Sequence, residues 1–485
     1  MSGSDASGNV LAIDQGTSGT KAIVLSPDRG VLASVELPLR PTYGPGGAVE
    51  QDPRELLDSV LAAGRAAVRQ AGEPVVGIGL ANQGESVLVW DPATGKAMSP
   101  IVVWQDRRAA ATCERISAQA GRLEQISGLA LDPYFAAPKM RWLRESMPVG
   151  GVVTTSDAWM VHALTGSAVT DASTASRTML LDLETTQWST EAVEIFELTV
   201  DLLPPVVDCA GQFGETDLFG GRPIPLTGLV VDQQSALFAD SCLSAGEAKC
   251  TYGTGAFLLA NSGDSVPRPK SGLTPSVAWR LNGVSTYCLD GQVFTAASAV
   301  RWLVDLGVIK SAEDLDQVGS QVPDTAGVVF VPALAGLGAP WGRPDALANL
   351  TGLSLGTSAG HLVRALIEGI AAQVAEMAAA VSQDVGVPVM TLRVDGGLTQ
   401  SALLMQRQAD LLQIPVEVGA SPHATALGAA AFARLGLDPN LALTAVLEPW
   451  EPTRTYLPQI SADEAATRRA AFNTAVSRLL ESTVK

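Results

Sequence analysis

Histidine is nearly absent from this 485-residue chain, cysteine is sparse, and basic residues are outnumbered. The three histidines, His162, His361 and His423, lie far apart, and neither H-E-x-x-H nor a Cys/His metal spacing occurs. The usual zinc sites are therefore excluded, and the histidines are expected to be structural. Five cysteines, Cys113, Cys209, Cys242, Cys250 and Cys288, are odd in number and scattered, with no C-x-x-C pair. That usage fits a reducing cytoplasm, not a disulfide scaffold. With 32 Lys plus Arg against 50 Asp plus Glu, the net charge of −18 repels polyanions, and no basic patch offsets it; no nucleic-acid partner is expected. The chain has no G-x-x-x-x-G-K-[ST], which excludes a P-loop enzyme. Its first ten residues, MSGSDASGNV, have neither a basic nor an apolar stretch, so no secretory signal is expected. Two long uncharged runs, 325–342 and 346–363, are each broken by Gly, Pro or Asn at four or five positions. They predict buried strand-and-loop segments, with no membrane span.

What remains is a globular composition, 47% hydrophobic and 17% charged, long enough for two or three cores. VLAIDQGTSGTKAIVLS reads as a hairpin: a strand at Val10–Ile13, a turn through Gly16 and Gly19, and a strand at Ala22–Leu25. A strand near Val31–Leu37, a helix from about Pro53 to Gln70 and the buried strand VVGIGLA follow, with helices expected to begin near Asp106 and Asp157. The second half opens the same way. KCTYGTGAFLLA is again strand, Gly-Thr-Gly turn, strand; VSTYCLDG is a further strand; helices are expected at Thr295–Leu306, His361–Val381, Ser401–Leu412 and Ala424–Leu435. Two similar halves, 1–241 and 242–485, are the expected domains.

The tip DQGTSGTK has the parts that a polyphosphate needs. Its glycines let the backbone turn and approach, amides and Thr/Ser hydroxyls donate, Lys21 adds charge, and Asp14 can hold Mg²⁺ directly or through water. An ordinary Gly/Ser turn reads the same way in isolation. The second tip, Tyr252-Gly253-Thr254-Gly255, repeats the chemistry, and two such tips across a cleft make a phosphate clamp. The Asp395-Gly396-Gly397 turn between a strand and a helix suits a flat adenosine or a simple turn. In GLVVDQQSALF, Asp232 stands at a strand end, where an Asp is as readily a helix N-cap as a catalyst.

Ten stretches in order resemble the FGGY family of carbohydrate kinases, most of all its glycerol kinase branch: LAIDQGTSGTKAIV, ANQGESVLVWD, IVVWQDRR, DPYFAAPKMRWL, TDASTASRTMLLD, VVDQQSALF, KCTYGTGAFLL, LTGLSLGTSAGHLVRALIEGIA, RVDGGLTQSALLMQ and TALGAA. The resemblance implies an α/β fold of two ribonuclease H-like, actin-like domains around a cleft, and ATP-dependent phosphorylation of a small polyol or sugar. It implies Asp232 as general base and Glu85, Trp104, Tyr134, Gln233 and Phe257 around the acceptor. Asp14, Thr17, Ser18 and Lys21 form the first phosphate site, Gly253 and Thr254 the second, and Gly397 and Ser401 face the nucleotide. ATP and Mg²⁺ are the expected cofactors, and a dimer or tetramer is the expected assembly.

Three positions depart from glycerol kinases. Lys21 replaces a common Arg, Ser401 replaces a frequent Asn, and Gly84 stands where those enzymes read NQRE and place an Arg on a terminal hydroxyl. Gly84 removes a charge and leaves room, which favours a four- or five-carbon polyol such as erythritol, or a related ketose, over glycerol. A glycerol kinase that tolerates Gly84 is the alternative. From another class comes an actin-like nucleotide-dependent regulatory ATPase, which would need no base in an acceptor pocket.

Overall fold

The computed structural model describes residues 8–147 and 150–482, so most of the polar N-terminal stretch MSGSDASGNV lies outside the described residues. The first hairpin joins the strands Asn9–Gln15 and Gly19–Ser26, with Asp14 opposite Lys21. Gly30–Pro38 continues the antiparallel meander. On the other side of the first strand, Val75–Asn82 and then Ile224–Val231 run parallel to it. The spatial order third, second, first, fourth, fifth, with a short edge at Glu215–Thr216, is that of a ribonuclease H-like sheet. Val10 to Ile13 are wholly buried, which explains why the strand reads as a continuous apolar run and does not alternate: helices cover both faces. One of them, Pro53–Ala71, starts with Asp52 accepting from the Arg54 amide at 2.7 Å and ends at Gly72 in the left-handed region.

The second sheet repeats the plan. Ala248–Tyr252 and Ala256–Gly263 form its hairpin, and Val284–Val293 pairs antiparallel beyond them. Leu392–Asp395 and Val416–Val418 lie parallel on the other side. Thr274–Leu281, which the sequence pattern does not predict, adds an antiparallel edge. The helix Ala359–Val385 is, among the described residues, the one long and apolar enough to cross a membrane, but 78% of its most apolar window is buried inside the protein. It packs in the second core with Leu258, Val331 and Val394.

The domain plan is not strictly sequential. The helix Ala424–Leu437 packs on the first sheet and on the helix Asp232–Ala239. Backbone approaches backbone there: a Cβ on Gly79 would lie 2.0 Å from the Ala429 carbonyl oxygen, and one on Gly428 2.0 Å from that of Ser235. Ala426, Ala429, Ala430 and Phe432 join Val10, Val230, Phe238 and Trp279 in one core between the halves.

The long connection between the fourth and fifth strands carries a small separate sheet and several helices. The helix expected near Asp157 is Ser156–Thr165. That expected near Asp106 starts later, at Ala110. Asp106 is fully buried in a turn, where its carboxylate accepts from the Val49 amide at 2.8 Å and from Arg108. The side chain that suggests a helix cap ties two distant segments together instead.

Candidate active site

Asp232 is the first residue of the helix Asp232–Ala239, at the end of the fifth strand. Val231 holds the cap position, and no side chain makes a capping bond, so the N-cap reading of Asp232 does not hold. Its carboxylate accepts from the Gln233 amide at 2.7 Å. Burial, with Asp14 and Glu85 nearby, pushes its pKa up to about 7. Asp14 is pushed up to about 6, again by burial, against the pull of Lys21.

Asp232 lines a cavity of about 300 Å³ together with Thr17, Ser18, Gly84, Glu85, Trp104, Tyr134, Gln233 and Phe257. Eight expected residues thus meet Asp232 in one place. Trp104 and Tyr134 stand edge to face, 5.7 Å between centroids. Thr17 Oγ1 accepts from Trp104 Nε1 at 2.9 Å and donates to Gln83 Oε1 at 2.8 Å, so the first hairpin is tied to the acceptor wall as well as to the cleft. Tyr134 is held from behind. The fully buried Lys139 ammonium donates to the carbonyls of Pro133, Tyr134 and Phe135, at 3.0 Å to the first and 2.7 Å to the last. Burial draws the Lys139 pKa down to about 7.

Arg177, Asp290, Gln234, Gln292 and Val231 line the same cavity and are not singled out by the sequence. Arg177 Nε donates to Glu85 Oε1 at 2.6 Å, and its Nη1 donates to Asp290 Oδ2 at 2.6 Å. Burial opposes the guanidinium charge, but Asp290 and Glu85 outweigh it and keep Arg177 protonated. Burial raises both carboxylates, and Arg177 pulls them back. Glu85 adopts φ 57°, a left-handed backbone uncommon for a side chain of its size. Arg177 lies within TDASTASRTMLLD, where its signal is an Arg in an otherwise small and hydroxylated run. Asp290 carries none, because its partner is 113 residues away.

At Gly84 a Cβ would lie 2.9 Å from Val231 Cγ2, so a side chain there needs that valine methyl to shift, while the glycine itself faces the cavity.

The two hairpin tips leave backbone donors open. The amides of Thr17, Ser18 and Thr254 donate to no other group among the described residues, as a phosphate cradle requires. Lys21, by contrast, sits opposite Asp14 with its ammonium 3.3 Å from Glu36 and donating to the Pro422 carbonyl at 3.2 Å. Across the cleft, Gly397 is exposed, with open space around its Cβ direction. Ser401 is buried; its hydroxyl caps the helix Ala402–Leu412 by accepting from the Leu404 amide at 3.1 Å, and it donates to Asp316. Its hydroxyl is thus committed within the protein. Asp395 Oδ1 is enclosed without a hydrogen-bond partner among the described residues, and Oδ2 is 3.9 Å from the buried Lys249 ammonium.

Residues 9–239 match the model of the FGGY family of carbohydrate kinases, N-terminal domain, and residues 248–437 match its C-terminal domain. A glycerol kinase of Alkalilimnicola ehrlichii is 40% identical over 97% of this chain and 98% of its own length. One of Thermus brockianus is 41% identical over 93% and 94%. The crystal structure of Plasmodium falciparum glycerol kinase with ADP superposes with a TM-score of 0.92 at 30% identity, covering 97% of this chain and 98% of that one. A xylulose kinase of Rhodospirillum rubrum shares the fold, with a TM-score of 0.89 at 23% identity over 98% of this chain and 100% of that one. With both family domains matched in order and relatives similar over nearly their whole length, the chain belongs to the FGGY family of carbohydrate kinases.

Proposed function

We propose that this kinase transfers the γ-phosphoryl group of ATP to a terminal hydroxyl of glycerol. The observation that carries the reading is the cavity itself: a carboxylate with a pKa near 7, a second carboxylate paired to a guanidinium, and aromatic walls, all beside a glycine-tipped hairpin. Asp232 takes the hydroxyl proton as that oxygen bonds to the γ-phosphorus and the bond to the β–γ bridging oxygen breaks. Little else is asked of the protein than positioning and charge stabilisation. The glycerol chain packs between Trp104 and Phe257, with Tyr134, Glu85 and Gln233 on its hydroxyls. Two relatives of about 40% identity named glycerol kinase support this acceptor over a longer one.

Mg²⁺ would be held by Asp14, directly or through water, since a hard carboxylate oxygen suits it and a cation would offset the burial that raises this carboxylate. When bound, Mg²⁺ neutralises charge on the β- and γ-phosphates. Five buried thiols without disulfides support a reducing compartment.

The test is ADP release measured against glycerol, erythritol, pentitols and pentuloses. Glycerol is expected to give the highest kcat/KM. Preference for a four- or five-carbon acceptor would restore the longer-polyol reading, and turnover independent of any acceptor would mean an ATPase.

A further inference from the structure

We infer that Arg177 donates to the acceptor hydroxyl remote from Asp232, doing from the insertion what an Arg at position 84 does in glycerol kinases. The inference deepens the proposed function and rests on it. Position 84 supplies no side chain, and the first atom of one would meet Val231 Cγ2 at 2.9 Å. The cavity nevertheless contains a guanidinium. Arg177 is 4% exposed and is gripped on two nitrogens, Nε by Glu85 and Nη1 by Asp290, at 2.6 Å each. Its Nη2 has no hydrogen-bond partner among the described residues, yet it is not one of the enclosed polar atoms that lack one, so it opens to the cavity that Arg177 lines.

A guanidinium carries five N–H donors in a rigid plane, and two anchored nitrogens fix where the third one aims. The Tyr134 and Phe135 rings lie 5.9 and 5.4 Å from the guanidinium carbon. Glu85 adjoins the same opening. A hydroxyl placed there donates to the Glu85 carboxylate and accepts from Arg177, so one acceptor oxygen is recognised by a donor and an acceptor together. That pairing selects a diol or triol over an alcohol lacking the group at this end. Glu85 and Asp290 come from different halves of the chain, so Arg177 also ties acceptor recognition to the position of the second sheet.

The experiment measures kcat/KM for glycerol and for propane-1,2-diol, which lacks one terminal hydroxyl, in wild type and Arg177→Lys. The lysine keeps a cation between Glu85 and Asp290 but loses the fork. Glycerol turnover is expected to fall about 10- to 100-fold, the scale of a charge-assisted bond, while propane-1,2-diol changes less than about threefold, so the preference collapses. An equal fall for both alcohols, with the preference kept, would overturn the inference and leave Arg177 a structural ion-pair partner. If the variant does not fold, the crystal structure of wild type with glycerol decides: Arg177 Nη2 at about 3 Å from a hydroxyl supports the role, and a distance beyond about 4 Å refutes it. A wild-type enzyme that phosphorylates no polyol would refute the proposed function itself. Turnover of both alcohols with an unchanged ratio would refute only the role of Arg177.

Discussion

At the first hairpin, tip residues are knitted into their surroundings: Thr17 bonds to Gln83 and Trp104 through its side chain, its carbonyl accepts from Gln51 at 2.8 Å, and Asp14 and Lys21 flank the turn. At the second, the tip has no charged side chain and is held through its carbonyls, one of which also accepts from the Ser298 hydroxyl at 3.0 Å. The Thr254 carbonyl accepts from the amides of Ala296 and Ser298, and the Gly253 carbonyl accepts from that of Ala297, at the start of the helix Ala297–Asp305. A shared backbone plan has thus been specialised. The first tip reaches the Asp232 cavity through its side chains, whereas the second offers an open amide above a helix start. For the proposed phosphoryl transfer, charge beside the base and plain backbone at the second tip is the division expected.

The sharpest break in that comparison is expected on the charged side. Asp232→Asn keeps shape and volume but removes proton acceptance, and kcat should fall by about 10²-fold or more, with glycerol KM changed far less. Wild-type kcat in this variant would remove Asp232 from the chemistry.

Next in size comes a matched pair of glycine substitutions. A Cβ on Gly255 would lie 2.4 Å from the Val293 carbonyl oxygen, whereas one on Gly16 meets nothing closer than the Gly19 oxygen at 3.4 Å. Gly255→Ala must push backbone apart and should cost about 2–4 kcal/mol or raise the KM for ATP by an order of magnitude or more, while Gly16→Ala should cost under about 1 kcal/mol. Thermal unfolding and ATP titration of both variants decide it. Equal effects would mean that the second tip is no more tightly built than the first.

The pH profile tests the charged side in a third way, since Asp14 and Asp232, raised to about 6 and 7, both belong to the first half. With the Asp232 pKa near 7, kcat/KM should drop about tenfold per unit on the acid side and level off above it. An acid limb near pH 4 would show that bound substrate or metal returns Asp232 to an ordinary carboxylate, or that another step limits the rate.

The same contrast between local and distant partners decides which features are legible in the sequence. The strands at Val10–Ile13 and VVGIGLA are legible because burial on both faces leaves unbroken apolar runs, and the tips because a Cβ on Gly19 or Gly255 would lie 2.8 or 2.4 Å from a backbone carbonyl oxygen. Thr274–Leu281 is not, since an edge strand with Pro275, Ser276 and Arg280 has no such run. Asp232, Glu85, Trp104 and Tyr134 are legible through family motifs. Arg177 is not, because its meaning depends on Glu85 and Asp290, 92 and 113 residues away. The Val231 methyl at Gly84 is equally hidden, because it reaches that glycine from a strand that is adjacent only in three dimensions. Lys21 and Ser401 show the same limit: the family resemblance puts each at the nucleotide, and only the fold shows Lys21 3.3 Å from Glu36 and Ser401 capping its helix.

The smallest expected effect is a gain in stability. Asp14 and Asp232 both bind protons more tightly in the folded state than the ordinary value of 3.8, at about 6 and 7. Between pH 4 and 7 the folded state therefore holds more protons than the unfolded one, so this contribution to stability is complete below about pH 4 and is lost as pH rises through 6 to 7. In the ligand-free enzyme at pH 8, Asp14→Asn removes one member of the repelling pair and should raise Tm by about 1–3 °C, with little change at pH 4. Adding Mg²⁺ at pH 8 should relieve the same repulsion in wild type, raising its Tm by a comparable amount, and should do less for Asp14→Asn. A variant that melts below wild type at pH 8, or one that gains as much as wild type from Mg²⁺, would mean that the Asp14 carboxylate is stabilised by contacts that outweigh its burial and that the metal is held elsewhere.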